Sequence, residues 1–304
     1  MMRKRWWMWF AGLALVVVAA ACGSKSPLVP SGGGGGGGNG GGGGGGGEVT
    51  NTPPSVKSIV ASDTRVEVGS PVTLTATVED AETPVANLGY AWTVPNGTIT
   101  GTGAVVQWTP GADAVTPGDF TVTLTVTETY TSGGAQKQNT ATGTLSVHVN
   151  NSPKELADLS LRFLGDFANS KVSPDKCVAE FSDSCSGKKD EFDDISDNRH
   201  DFEIIGSTLR ANGVSMGSNR VSATVHTFCA FTSRVITTDP RDESCAGGRC
   251  PLGSVGSVQG DCWTTDVYQN GRWWLCQSHF TGQPGVALTD FARAFFRIKL
   301  SDDR

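Results

Sequence analysis

The sequence has no excess of basic charge, no hydrophobic run long enough to cross a bilayer and no paired Cys-x2-Cys units. Its 24 Lys and Arg are outnumbered by 30 Asp and Glu. A phosphate-backbone binder needs a basic patch, so nucleic acid and anionic lipid surfaces are poor candidate partners. The longest apolar stretch, Trp6 to Ala21, has 16 residues, whereas a spanning helix needs about 20. Glycine is plentiful, at 40 residues, but without the Gly-X-Y period of collagen. Fifteen of the 40 lie in one run from Gly32 to Gly47, broken by Asn39. The remainder has an ordinary glycine content and, with the chain at 38% hydrophobic and 18% charged, can build cores. Length suggests about two domains.

The first residues read as an address. Arg3-Lys4-Arg5 precede the apolar stretch, which ends in Ala19-Ala20-Ala21 before Cys22. A charged start, a short apolar region and small residues at a cleavage point make a secretory signal over 1–21. Ala19-Ala20-Ala21-Cys22 resembles the bacterial lipobox, although Leu, Val or Ile is usual where Ala19 stands. That resemblance implies a diacylglycerol on Cys22, and Gly23 after it, rather than Asp, implies the outer-membrane sorting class. Removing the three basic residues of the leader leaves 21 basic against 30 acidic residues, a net charge of −9. Residues 22–52 then form a lipidated cysteine and a flexible Gly-rich tether, with a span of about 30 Å. The run has no Lys-Ser/Thr after it and no strand before it, so a phosphate loop is not expected.

Residues 53–150 alternate with period 2. Val72, Leu74, Ala76 and Val78 interleave with threonines, as do Phe120, Val122, Leu124 and Val126, and Leu145, Val147 and Val149 repeat the pattern. Turn signals at Gly69-Ser70-Pro71, Pro95-Asn96-Gly97 and Gly133-Gly134 separate the runs. About seven short strands in this span indicate an all-β immunoglobulin-like sandwich. Tyr90-Ala91-Trp92 and the stretch Gly118 to Val126 resemble the PKD class of bacterial surface domains. Thr93-Val94-Pro95-Asn96-Gly97 departs from that family's usual Asp-Phe-Gly-Asp-Gly, so a generic immunoglobulin-like or cadherin-like label stays open. Trp92 is expected in the core, as is Trp108. Asp80 and Glu82 are too few for a Ca²⁺ site and read as a solvated turn.

Residues 151–304 change character. Ser152-Pro153-Lys154-Glu155 is a helix start, and Leu156, Leu159, Phe163 and Phe167 place one apolar face on a helix running to about Ser170. A polar helix is expected from Lys188 to Arg199, with Phe192 and Ile195 inward. Strands follow over 201–209, 219–236, 257–269 and 272–280, giving an α+β domain with helices on one face of a curved antiparallel sheet. Asn270-Gly271 predicts a two-residue type I′ turn. The resulting register puts Trp263, Thr265, Val267, Trp274, Cys276, Ser278 and Phe280 on one face, expected to be the core face. Cys262, Thr264, Asp266, Tyr268, Trp273, Leu275, Gln277 and His279 fall on the other.

Asn198-Arg199 before Phe202-Glu203-Ile204-Ile205, Ala223-Thr224-Val225, and Gly271 to Cys276 resemble the nuclear-transport-factor-2-like (cystatin-like) cone fold. The resemblance implies a pocket enclosed by the sheet. The family's isomerase and dehydratase members place Asp or His inside it. The predicted register leaves no such acid–base pair inside, so a catalytic role is not expected.

Seven further cysteines lie between 177 and 276. An exported chain favours disulfides, and three are expected: Cys177–Cys185, Cys245–Cys250 and Cys229–Cys262, with Cys276 left over as a buried thiol. The spacings do not suit zinc, and no metal or cofactor is expected. Gly213-Val214-Ser215-Met216-Gly217 matches G-x-S-x-G but precedes a strand-like run, so it reads as a turn. Asp190, Glu191, Asp193, Asp194, Asp197 and Asp201 lack the EF-hand glycine and read as a solvated helix face. The expectation is a multidomain, lipid-anchored, non-catalytic envelope protein. Its sandwich would act as a spacer and its last domain would bind an unknown protein, glycan or small molecule, with Asp266, Tyr268, Trp273 and His279 as the binding face. A carbohydrate-binding adhesin and a cone-fold isomerase-like or dehydratase-like enzyme remain the alternatives.

Overall fold

The computed structural model describes residues 50–241, 245, 249–282 and 295. The leader 1–21, Cys22, the tether up to residue 49 and the stretch 286–300 apart from Phe295 lie outside the described residues. Eight strands precede the first helix: β1 Ser55–Ala61, β2 Arg65–Glu67, β3 Val72–Glu79, β4 Gly89–Thr93, β5 Thr98–Thr100, β6 Val105–Thr109, β7 Gly118–Ser132 and β8 Ala135–Asn150. They form two four-stranded sheets, ordered β1-β3-β6-β5 and β2-β8-β7-β4. The alternating residues meet between them: Leu74, Val106, Trp108, Val122 and Val149 are fully or almost fully buried. Trp108 is the buried core tryptophan, donating from Nε1 to the Asn96 carbonyl at 2.8 Å, whereas Trp92 packs at the edge of this core. Asp80 caps its own turn by accepting from the amides of Glu82 and Thr83.

Helix α1 (Ser152–Ala168) starts one residue earlier than its sequence suggests, because Asn151 is the cap and Glu155 reaches back to accept from the Asn151 amide at 2.6 Å. Leu156, Leu159, Phe163 and Phe167 form its buried face. After the short α2 (Pro174–Cys177), α3 (Gly187–Asp201) leads into β9 Phe202–Met216, β10 Ser222–Val235, β11 Val255–Gln269 and β12 Arg272–Gly282. These make one antiparallel sheet, ordered β12-β11-β10-β9, with α1 and α3 against one face. The Gly213–Gly217 motif ends β9 and enters a turn in which the Gly217 amide donates to the Ser222 carbonyl at 2.7 Å, so no nucleophile elbow is built.

The β11–β12 hairpin turns at Asn270 and Gly271, both at positive φ, with Gln269 opposite Arg272. The expected core face is nevertheless the wrong one. Trp273, Leu275, Asp266, Thr264 and Cys262 are buried, while Trp263 and Trp274 lie on the other side and keep part of their surface. A bulge is the further reason: Asp266 pairs with Leu275 but Thr265 pairs with Gln277, so Cys276 is the extra residue. Beyond it every side chain changes face. Ser278 and Phe280 join the core side, and Gln277 and His279 join Trp263 outside.

The bulged Cys276 takes part in one of the three disulfides. The pairs are Cys185–Cys276, Cys229–Cys262 and Cys245–Cys250, and Cys177 is the free, buried thiol. The expected Cys177–Cys185 bond and free Cys276 are therefore corrected. Phe181 bridges to Leu275 and the Ser182 amide donates to the Leu275 carbonyl at 2.8 Å. This lays the loop carrying Cys185 along β12. Cys177 instead faces the core beside Arg199, and burial pushes its thiol pKa up despite that guanidinium.

The first two sheets meet the helices and the third sheet through Arg65. Its guanidinium lies 3.7 Å from the Tyr268 ring centroid and 5.1 Å from that of Trp273. It donates to Ser152 Oγ at 2.9 Å and to the Arg220 carbonyl, and it pairs with Glu67 at 3.3 Å. Glu67 in turn accepts from the Ser152 amide at 2.9 Å, and Arg220 pairs with Asp63. We predict that Arg65→Ala lowers stability by about 2–3 kcal/mol, because it strands Glu67 and uncovers two aromatic faces. Calorimetry should show a single unfolding transition of the parent splitting into two.

Candidate functional site

A cavity of about 90 Å³ opens between α1, α3 and the β11–β12 hairpin. From α1 come Phe163, Leu164 and Phe167, and from α3 come Glu191, Asp194, Ile195 and Asn198. Cys262, Thr264, Ser278 and Phe280 supply the sheet wall, Trp263 and His279 its rim, and Phe295 closes one side. The helix contributes in this way because Glu191, Asp194 or Ile195, and Asn198 are three or four residues apart and share one face. A hydrophobic row at this spacing would be read as core. Here Ile195 keeps the face inward and the polar residues follow it. The expectation of a solvated acidic helix face is therefore corrected for Glu191, and for Asp201, which is fully buried and accepts from the Arg241 amide.

Glu191 is half-buried, and its carboxyl accepts from Ser278 Oγ at 2.6 Å. Burial pushes its pKa up to about 7, against the Ser278 bond that favours the charged form, and Asp194 adds to the rise. Asn198 is 1% exposed, donates its amide to the Phe295 carbonyl at 2.7 Å, and leaves its Oδ1 buried without a partner. Among the described residues that line the cavity there is no Lys or Arg.

Asp266 lies deeper on the same side of the sheet, 3% exposed. Its Oδ2 accepts from Thr264 Oγ1 at 3.1 Å and its Oδ1 has no partner. Burial pushes its pKa up to about 7, only partly offset by Thr264.

The four residues expected to share one binding face are dispersed. Asp266 and Trp273 are buried, with Trp273 donating to Ser152 Oγ at 3.0 Å. Tyr268 is half-buried beneath Arg65 and donates to Asn150 Oδ1 at 2.9 Å. Burial pushes the Tyr268 hydroxyl pKa up. His279 points to the outer side, where it stacks parallel to Trp263, whose other face carries His226 at 4.3 Å. Burial lowers the His279 pKa. His226 is held by Asp261 at 2.7 Å. Among the described residues no group of three or more His, Cys, Asp or Glu could hold a metal ion.

Residues 58–141 match the PKD domain family. No curated relative matches the sequence. Two solved structures are similar in part. The intermembrane space region of chloroplast protein ARC6 aligns over 42% of this chain and 97% of its own, at 9% identity and a TM-score of 0.29. A putative calcium/calmodulin dependent protein kinase II association domain from Xanthomonas campestris aligns over 44% of this chain and 89% of its own, at 14% identity and a TM-score of 0.28. Similarity at that level carries no argument about fold or function. A PKD domain and three disulfides suit an extracellular or envelope protein. Among the described residues no helix is long and apolar enough to cross a membrane.

The buried Asp266 carboxyl gives a pH test. Its folded pKa is raised, so the folded state keeps its proton while the unfolded chain ionises from about pH 4 upward. Its contribution to stability is therefore lost as pH rises from about 4 to 7. Asp266→Asn should raise stability by up to about 4 kcal/mol at pH 8 and change it little at pH 3.5. Denaturant titrations at the two pH values measure this difference.

Proposed function

We propose that this is a lipid-anchored cell-envelope protein whose PKD sandwich is a spacer and whose last domain, 151–304, binds a small ligand. In this reading residues 1–21 are a lipoprotein signal and 22–52 a lipidated Cys22 with its tether. Residues 53–150 are the sandwich, and 151–304 is a nuclear-transport-factor-2-like cone. The observation that carries the reading is the aromatic-walled cavity between α1, α3 and the last hairpin, with polar acceptors on one wall. Such a cavity, with few polar groups, suits a small organic ligand. A binding role is the reading favoured for this cavity, and the buried Asp266 lies outside its lining. The adhesin alternative loses its best aromatics, since Tyr268 and Trp273 are engaged by Arg65 and Ser152.

The anchor is tested by fractionation. The parent protein should partition with outer membranes and take up labelled lipid. Cys22→Ala should do neither, and a Cys22→Ala variant that still fractionates with membranes would refute the anchor. The last domain is tested by Cys229→Ala. Loss of this disulfide beneath the cavity should lower stability by about 2–5 kcal/mol, measured as a shift of the protein's single denaturant-unfolding transition.

A further inference from the structure

We propose that His148 is a proton-operated latch between the sandwich and the last domain, closed on the Gly271 carbonyl while its ring is charged and released when the ring is neutral. The inference goes beyond the binding reading and does not depend on what the cavity takes. His148 lies near the end of β8, with Asp119 of β7 directly opposite it in the ladder. Its Nδ1 is 2.8 Å from Asp119 Oδ1, and its Nε2 is 3.0 Å from the Gly271 oxygen. A carboxylate and a carbonyl are both acceptors. Each bond therefore needs a hydrogen on the ring, and only the imidazolium carries two. The ring keeps 26% of its side-chain surface exposed, so protons reach it from solvent.

A neutral ring has one N–H and must give up one of the two bonds. The bond to the carboxylate is charge-assisted, about twice as strong as one to a neutral carbonyl. It sets the tautomer by holding the remaining hydrogen on Nδ1. Nε2 then turns a lone pair on the Gly271 oxygen, the contact becomes repulsive, and the hairpin tip is released while the ring stays with the sandwich. Both bonds belong to the charged form. The latch is therefore closed at low pH and opens as pH rises through the range in which histidine loses its charge, about 5 to 8. The charged groups on the neighbouring elements do not replace it. Arg65, opposite His148 on β2, is committed to Glu67 and Ser152, and Glu67 also holds the Ser152 amide. Arg272, next to Gly271, lies over the Trp274 ring at 3.8 Å. A guanidinium keeps its charge throughout this range, so Arg65 joins the two parts at every pH and the latch governs only the tip.

The test is amide hydrogen exchange of the full-length protein in detergent at pH 5.5 and pH 8.5, corrected for the intrinsic effect of pH on exchange. Strand β10, inside the same sheet, reports any change shared by the whole domain. Relative to β10, the amides of residues 269–274 should lose about tenfold in protection between the two pH values, the worth of one hydrogen bond from a charged group. Asp119→Asn offers a donor in place of the carboxylate. A neutral ring can then accept at Nδ1 and donate from Nε2 to Gly271, so the tip should stay protected at pH 8.5. His148→Ala should leave the tip with the lower protection at both pH values. A parent tip that follows β10 from one pH to the other would overturn the latch. So would an Asp119→Asn protein that loses tip protection as the parent does, because another group would then carry the pH dependence. Asp119 is exposed, so its substitution decides the matter even if His148→Ala does not fold.

Discussion

Arg65 sits where the sandwich, the first helix and the last hairpin converge, and the arrangement of the rest depends on satisfying its charge. A guanidinium with 13% of its side-chain surface exposed needs acceptors and a tolerant surface. Glu67, Ser152 Oγ and the Arg220 carbonyl supply the acceptors, and the Tyr268 and Trp273 rings supply the surface. Ser152 is shared between Arg65, Glu67 and the Trp273 indole, so the first turn of α1 is fixed to both sides at once. His148 adds a second tie, with Nδ1 on Asp119 at 2.8 Å and Nε2 on the Gly271 carbonyl at 3.0 Å. The tip of the hairpin whose far end walls the cavity is therefore held from the sandwich side.

A second constraint follows along β12. One extra residue at Cys276 sets which half of the strand faces the helices. It turns Ser278 toward Glu191 and turns His279 toward Trp263. It also places Cys276 beside the loop of Cys185, so a single bulge decides a disulfide, a cavity wall and an outer aromatic stack. Gly187, at the start of α3, approaches the Cys276 carbonyl so closely that a Cβ would clash with it. Glycine there lets α3 lie against the bulge and brings Glu191 within reach of Ser278.

This explains what was legible in the sequence and what was not. The Val72–Val78 and Phe120–Val126 alternations identified the sandwich strands, because a half-buried antiparallel strand writes its burial as period 2. Leu156, Leu159, Phe163 and Phe167 identified the buried face of α1 for the corresponding reason at 3.6. Asn270-Gly271 gave the hairpin turn and the first pairs of its register. The bulge left no mark, since it comes from the contact between Cys276, Gly187 and the Cys185 loop, which are distant in sequence. Reading β12 as regular grouped Gln277 to Phe280 with the wrong residues of β11, although Ser278 and Phe280 do end on the core side as expected. It also made Cys276 look like the spare thiol in place of Cys177. The core side itself was misjudged because Trp263 and Trp274 outweigh Thr264 and Asp266 on any hydrophobic scale.

The site was hidden for a related reason. Six acidic residues in one helix look like a solvated surface, since carboxylates are rarely buried without a partner. Glu191 and Asn198 break that expectation together, seven residues apart on the face led by Ile195. A helix that buries an acid and an unpaired amide oxygen on its core side carries a standing penalty. Hydrophobic residues at those two positions would remove it, as they do along α1. That α1 is apolar where α3 is polar, across the same cavity, argues that the polarity serves what enters between them and not the packing of the fold.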